Sequence, residues 1–88
     1  MRRVLFVANF DESVSDQDLY ELFSRYGKVA RARVWFDFET GESRGFGFVD
    51  MEDEDAAKLA IECLNGLWWR WRRLKVSFAR PKADARFG

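Results

Sequence analysis

Apolar and polar positions along the chain alternate with two periods, and the switches between them mark out six elements. Val4 to Ala8 (VLFVA) is a short β-branched and aromatic run ending at Asn9, which predicts a buried strand. Leu19, Leu22, Phe23 and Tyr26 then recur at helical spacing. Ser15 supplies an N-cap, Asp16 and Asp18 stand where the helix dipole favours acids, and Gly27 is expected to end the helix as its C′ glycine. Val29 to Asp37 returns to period two, with Ala32 and Val34 on one face and Arg31, Arg33 and Trp35 on the other. Glu39-Thr40-Gly41 has turn chemistry. Phe46 to Met51 is a third alternating strand. Asp53 to Leu64 predicts a second helix with Ala57, Ala60, Ile61 and Leu64 on one face, closed by Asn65-Gly66. Leu74, Val76 and Phe78 belong to a last strand, which Pro81 stops.

The resulting order, β-α-β-β-α-β, is the α+β ferredoxin-like sandwich: a four-stranded antiparallel sheet with two helices on one face. The other face is left to solvent. In the first strand Leu5 and Val7 point inward, so Phe6 points out. In the third, Val49 and Met51 point inward, so Phe46, Phe48 and Asp50 point out. These strands are central neighbours in this topology, so three phenylalanines should cluster on the uncovered face. Leaving such a ring unburied forgoes on the order of 2 kcal/mol. A platform of flat rings flanked by arginine suits unstacked bases.

Composition narrows the field. Eighty-eight residues make one domain, and 17% are aromatic, more than so small a core needs. The net charge is zero, yet residues 1–65 carry 8 Lys and Arg against 14 Asp and Glu, and residues 66–88 carry 7 against 1. That basic C-terminal third fits either a polyanionic partner or a solvated tail. One cysteine, Cys63, and no histidine leave neither a disulfide within the chain nor a structural zinc to expect. Cys63 reads as a small apolar residue of the second helix. No apolar run approaches the roughly 20 residues of a membrane span, and Met1-Arg2-Arg3 opens no signal peptide. Gly45-x-Gly47 lies on a strand and not before a helix, so it is not a phosphate-cradling loop. No catalytic constellation, cofactor or metal site is expected.

Residues 44–51, RGFGFVDM, resemble the octamer motif of the RNA-recognition-motif family, [KR]-G-[FY]-[GA]-F-[VI]-x-[FY], and residues 5–10, LFVANF, resemble its hexamer. The likeness extends through DFETGESRGFGFV, DAAKLAIECLNG and RRLKVSFARPK, over about residues 3–80. LKVSFARP is most similar to ELAV-like members, which bind U-rich RNA. The resemblance implies a non-catalytic domain over residues 1–80, followed by a basic tail over residues 81–88, that binds single-stranded RNA inside the cell. By position, Phe6 and Phe48 stack under successive bases, Phe46 packs against the sugars between them, and Arg44 pairs with a phosphate. Lys75, Ser77 and Arg80 lie on or after the last strand, beside Phe6, where they read base edges. Asn9 is implied to be a turn residue.

Three features depart from the family. Met51 replaces the terminal aromatic of the octamer, and its parity places it in the core. Trp35 is expected on the open face near Phe46, where it either extends the stacking surface, as Arg33 and Arg31 on the same face favour, or packs against the loop; Asp50 there repels phosphate, or accepts from a base amino group. The third is Leu67-Trp68-Trp69-Arg70-Trp71-Arg72-Arg73, where the family has a small hairpin. Trp69 takes the place of its apolar anchor. Trp71 takes the place of its glycine, and because a tryptophan at positive φ is strained, the turn is expected to be reshaped. Trp68, Arg70 and Trp71 remain as an interaction hairpin for RNA, for a protein partner or for self-association. The alternative function is a protein-interaction module using that hairpin or the helical face. Members that bind peptides on the helices use an Arg-x-Phe after the second helix, and here Leu67 stands in place of the arginine.

Overall fold

Each element that the hydrophobic pattern predicts forms in the computed structural model, which describes residues 2–79. Arg80, Pro81 and the tail of residues 81–88 lie outside the described residues. Strands β1 (Val4–Ala8), β2 (Val29–Phe36) and β3 (Ser43–Met51) and helices α1 (Asp16–Ser24) and α2 (Glu54–Leu64) are followed by two-residue strands β4 (Trp68–Trp69) and β5 (Arg72–Arg73), then β6 (Lys75–Phe78). The main sheet runs β2-β3-β1-β6, every pair antiparallel, and β4 and β5 form a separate hairpin.

Helix α1 starts where the sequence places its cap. The Ser15 hydroxyl accepts from the Asp18 backbone N–H at 3.1 Å, and the Asp18 carboxylate accepts from the Ser15 N–H at 2.9 Å. This reciprocal pair satisfies two otherwise orphaned donors. The other end differs from expectation. The helix stops at Ser24, with Arg25 as its C-cap, so Gly27 is not the C′ residue. Gly27 has another role: a Cβ there would overlap the Cβ of Ala56, so only glycine lets this loop close on α2. Asp53, expected inside α2, is its N-cap and accepts from the Asp55 and Ala56 N–H groups.

The core lies between the helices and one face of the sheet. Leu5, Val7, Val49, Met51 and Val76 from the strands and Leu74 just before β6 meet Leu19, Phe23, Ala57, Ala60 and Leu64 from the helices, all nearly free of solvent. Met51 is fully buried, as its parity requires. Cys63 faces away from this core and is exposed, so it does not serve as a packing residue. Gly47 sits where β2 and β3 approach most closely; a Cβ there would overlap the Arg33 carbonyl. The two strands run in register under the open face at this point, with Arg33 opposite Phe48 and Val34 opposite Gly47.

Candidate nucleic-acid interface

Strand pairing brings the outward residues of β1 and β3 side by side. Phe6 lies opposite Phe48, and Ala8 opposite Phe46. The Phe6 ring centroid is 5.7 Å from that of Phe46 and 5.6 Å from that of Phe48, with the rings tilted by 41° and 59°. All three rings are half-buried, sheltered by one another and by the sheet beneath, each with surface left for a ligand. Tilted rings at this spacing attract each other edge to face, which holds their orientation before anything binds.

Trp35 joins this group, but not where the sequence puts it. Its indole stands edge-on to Phe48, centroids 6.2 Å apart and planes at 86°, rather than beside Phe46. The ladder sets Arg33 opposite Phe48 and Val34 opposite Gly47, which by itself would bring Trp35 opposite Phe46; the register breaks between Val34 and Phe36, and the indole meets the Phe48 ring diagonally across the strands. Trp35 is 53% exposed. Phe36, which alternation assigns to the inner face, is also exposed beyond the break, and Phe38 in the following loop is 95% exposed. Asp37 holds that loop: its carboxylate accepts from the N–H groups of Thr40 and Glu39, which keep it below the usual carboxylate range.

Charged groups surround the rings on two sides. Toward β6 the sheet borders a concavity of about 350 Å³ whose lining includes Phe6, Phe46, Arg44, Arg72 and Lys75. Ser77 is exposed on β6 opposite Phe6. Toward β2 a second concavity of about 330 Å³ is lined by Phe48, Trp35, Arg31, Arg33, Asp50 and others. Phe6, Phe46, Phe48, Arg44, Lys75, Ser77, Trp35 and Arg33 thus share one face, whereas Arg80 lies outside the described residues.

Arg72 was missed by sequence reasoning. It precedes inward-facing Leu74 by two residues, so alternation turns it toward the core. The chain breaks strand geometry between β5 and β6, and parity does not carry across the break. Asn9 fixes the outcome. It adopts a left-handed φ of 64°, donates from Nδ2 to the Arg73 carbonyl at 2.8 Å, and accepts from the Arg72 guanidinium at 3.2 Å. As expected, Asn9 is a turn residue; it also tethers the hairpin to β1.

The β4–β5 hairpin contradicts one expectation. Its turn is not reshaped to spare Trp71: Arg70 and Trp71 take φ values of 50° and 72°. Two residues of positive φ are what a two-residue hairpin with the twist of a type I′ turn requires. Trp69 packs against the core, as an anchor should. Arg70 is committed within the domain, its guanidinium 4.9 Å from the Trp69 ring centroid and 3.0 Å from the Asp18 carboxylate. It clamps the hairpin to α1 while its side chain stays 40% exposed. Trp68 and Trp71 are 63% and 71% exposed and line neither concavity of the aromatic platform.

Known proteins share this fold. The RNA recognition motif family profile matches residues 5–75. A protein of Nostoc sp. named RbpE is 46% identical over 80 residues, spanning 91% of this chain and 81% of that protein. The Sex-lethal homolog of Megaselia scalaris is 44% identical, over 91% of this chain and 25% of that protein. Among solved structures, the RNA-binding protein PG1 superposes with a TM-score of 0.86 at 47% identity, covering 90% of this chain and 98% of that one. A Sex-lethal protein–RNA complex superposes at 0.87 with 40% identity, covering 92% and 48%.

Proposed function

The chain belongs to the RNA recognition motif family, and we infer that it binds single-stranded RNA by stacking bases on the open face of its sheet. The observation that carries this reading is the triad of Phe6, Phe46 and Phe48, three adjoining rings on a face that no helix among the described residues covers. Phe6 and Phe48 take successive bases, and Phe46 takes the sugars between them. Arg44, Arg72 and Lys75 hold phosphate at the β6 side, and Arg33 does so at the β2 side. Ser77 and Arg80 reach base edges, and Trp35 extends the stacking surface past Phe48. Base-on-aromatic stacking is worth about 1–3 kcal/mol per base. The domain occupies residues 1–80 with residues 81–88 as a basic tail, and it acts by binding, not by catalysis. An exposed free thiol at Cys63 fits an intracellular setting. No helix among the described residues is long and apolar enough to cross a membrane.

The test is a fluorescence-anisotropy titration of short labelled single-stranded RNAs with the wild type and with a Phe6→Ala/Phe48→Ala double variant. Micromolar or tighter binding that the double variant loses supports the reading. Unchanged affinity in the variant overturns it.

A second reading rests on Trp68 and Trp71. Both indoles are exposed on a hairpin clamped at Arg70, away from the aromatic face, and apolar surface of this size marks contact with another protein. In this reading the hairpin meets a second copy of the chain or a protein partner while the sheet holds RNA.

A further inference from the structure

The concavity on the β2 side of the platform has a chemistry the stacking triad does not explain. Phe48 and Trp35 give it aromatic walls at right angles. At its polar end Asp50 lies opposite Arg31 on one neighbouring strand and opposite Val4 on the other. Despite that register, neither ion pair among the described residues involves Asp50, Arg31 or Arg33. A half-buried carboxylate and two guanidinium groups thus face one base-sized hollow without an ion-pair partner among the described residues.

A carboxylate only accepts hydrogen bonds, and its two oxygens accept a parallel pair of donors best. The free Watson–Crick edges of the four bases answer this differently. Guanine presents two adjacent donors, N1–H and the N2 amino group. Cytosine and adenine each present one amino group beside a ring-nitrogen acceptor, and uracil presents one N–H between two carbonyls. Guanine is also the base whose O6 and N7 accept from a guanidinium. Asp50 together with Arg31 or Arg33 therefore complements guanine on both sides, whereas uracil sets a carbonyl against the carboxylate.

We propose that this hollow is a guanine-selective subsite and that Asp50 is its specificity-determining residue. The proposal rests on the RNA-binding reading above and deepens it. It also departs from the U-rich preference implied by the likeness of LKVSFARP to ELAV-like sequences, at this one nucleotide.

The experiment titrates the protein with a labelled seven-nucleotide U tract and with three versions whose central U is replaced by G, C or A. A single guanine avoids self-association of the RNA. The G-containing RNA is expected to bind about 10-fold tighter than the U tract. In Asp50→Asn, which keeps size and shape, that preference falls to within about twofold while affinity for the U tract holds or rises. Equal binding of all four RNAs by the wild type, a preference for C or A, or a guanine preference that survives Asp50→Asn overturns the subsite and leaves the RNA-binding reading standing. If none of the four RNAs binds, the RNA-binding reading itself fails.

Discussion

Arg70 and Asp18 stand 52 positions apart in sequence, yet the Arg70 guanidinium lies 3.0 Å from the Asp18 carboxylate. This contact fastens the tip of the β4–β5 hairpin to the N-terminus of α1. Asp18 already receives the Ser15 backbone N–H, so one carboxylate both caps a helix and anchors a hairpin. Its carboxyl is held below the usual range, first by the Ser15 N–H and then by Arg70.

The sign of the pH effect follows. A carboxyl whose folded pKa is depressed adds stability above its unfolded value, about 4, and loses that contribution as pH falls through the folded value. Asp18→Asn removes the charge but not the shape, and is expected to cost about 1 kcal/mol near neutral pH. The gap from wild type should narrow as pH falls below the unfolded value of about 4 and on through the depressed folded value. Urea unfolding at several pH values measures it; a gap that stays constant down to pH 2 would exclude the charge as its cause. Arg70→Ala, in a partly exposed pair, should cost less than about 1 kcal/mol.

The aromatic platform makes a second prediction. Phe6→Ala, Phe46→Ala and Phe48→Ala should each weaken RNA binding by about 1–3 kcal/mol. Because these rings sit outside the buried cluster, the fold should persist, and circular dichroism checks it. Calorimetric titration that returns wild-type affinity for all three variants would remove the platform from consideration.

The platform was legible in the sequence because strand parity is a strict rule. Once Leu5, Val7, Val49 and Met51 are assigned inward, Phe6, Phe46 and Phe48 have nowhere else to point. Parity fails where the ladder is broken. Beyond the register shift after Val34, Phe36 is exposed and Trp35 meets Phe48 diagonally, and the gap between β5 and β6 turns Arg72 onto the platform. Gly27 was misassigned for a different reason: local helix-stop chemistry and close packing against Ala56 both call for glycine, and only the tertiary structure separates them. Trp71 shows the strength of hairpin geometry. The two-residue connection sets φ, and a tryptophan accepts it at a cost of about 1–2 kcal/mol.

Salt dependence gives a third prediction. Arg44, Arg72, Lys75 and Arg33 are placed to meet phosphates, and each contact with a single strand adds about −0.7 to the slope of log K against log salt. Three or four contacts give a slope of roughly −2 to −3. Arg72→Ala should make it shallower by about 0.7. Arg73→Ala should leave it unchanged, because Arg73 turns back to donate to the Gly66 carbonyl at 3.0 Å. Equal slopes for wild type and Arg72→Ala would place Arg72 off the RNA track.

The last prediction concerns the two exposed indoles. Trp68 pairs with Arg73 across the hairpin, and Trp71 occupies the second central position of its turn. The core is served by Trp69, so neither indole is needed for packing. Arg70 fixes the hairpin from the helix side and Asn9 from the β1 side, so the indoles are displayed on a stiff support. A stiff support lowers the ordering cost of a contact, and buried tryptophans are frequent anchors of protein interfaces. The double variant Trp68→Ser/Trp71→Gly separates the possible partners. Gly at position 71 suits the positive φ and should not harm the fold. If the hairpin meets a second copy, sedimentation of the wild type at high concentration gives a mass above the monomer. The variant then returns to the monomer with RNA affinity nearly intact. If instead the indoles touch RNA, both proteins sediment as monomers and the variant binds RNA more weakly by about 1–3 kcal/mol per lost stack. Monomeric mass and unchanged affinity in both proteins would make the two indoles incidental and overturn the hairpin as an interaction site.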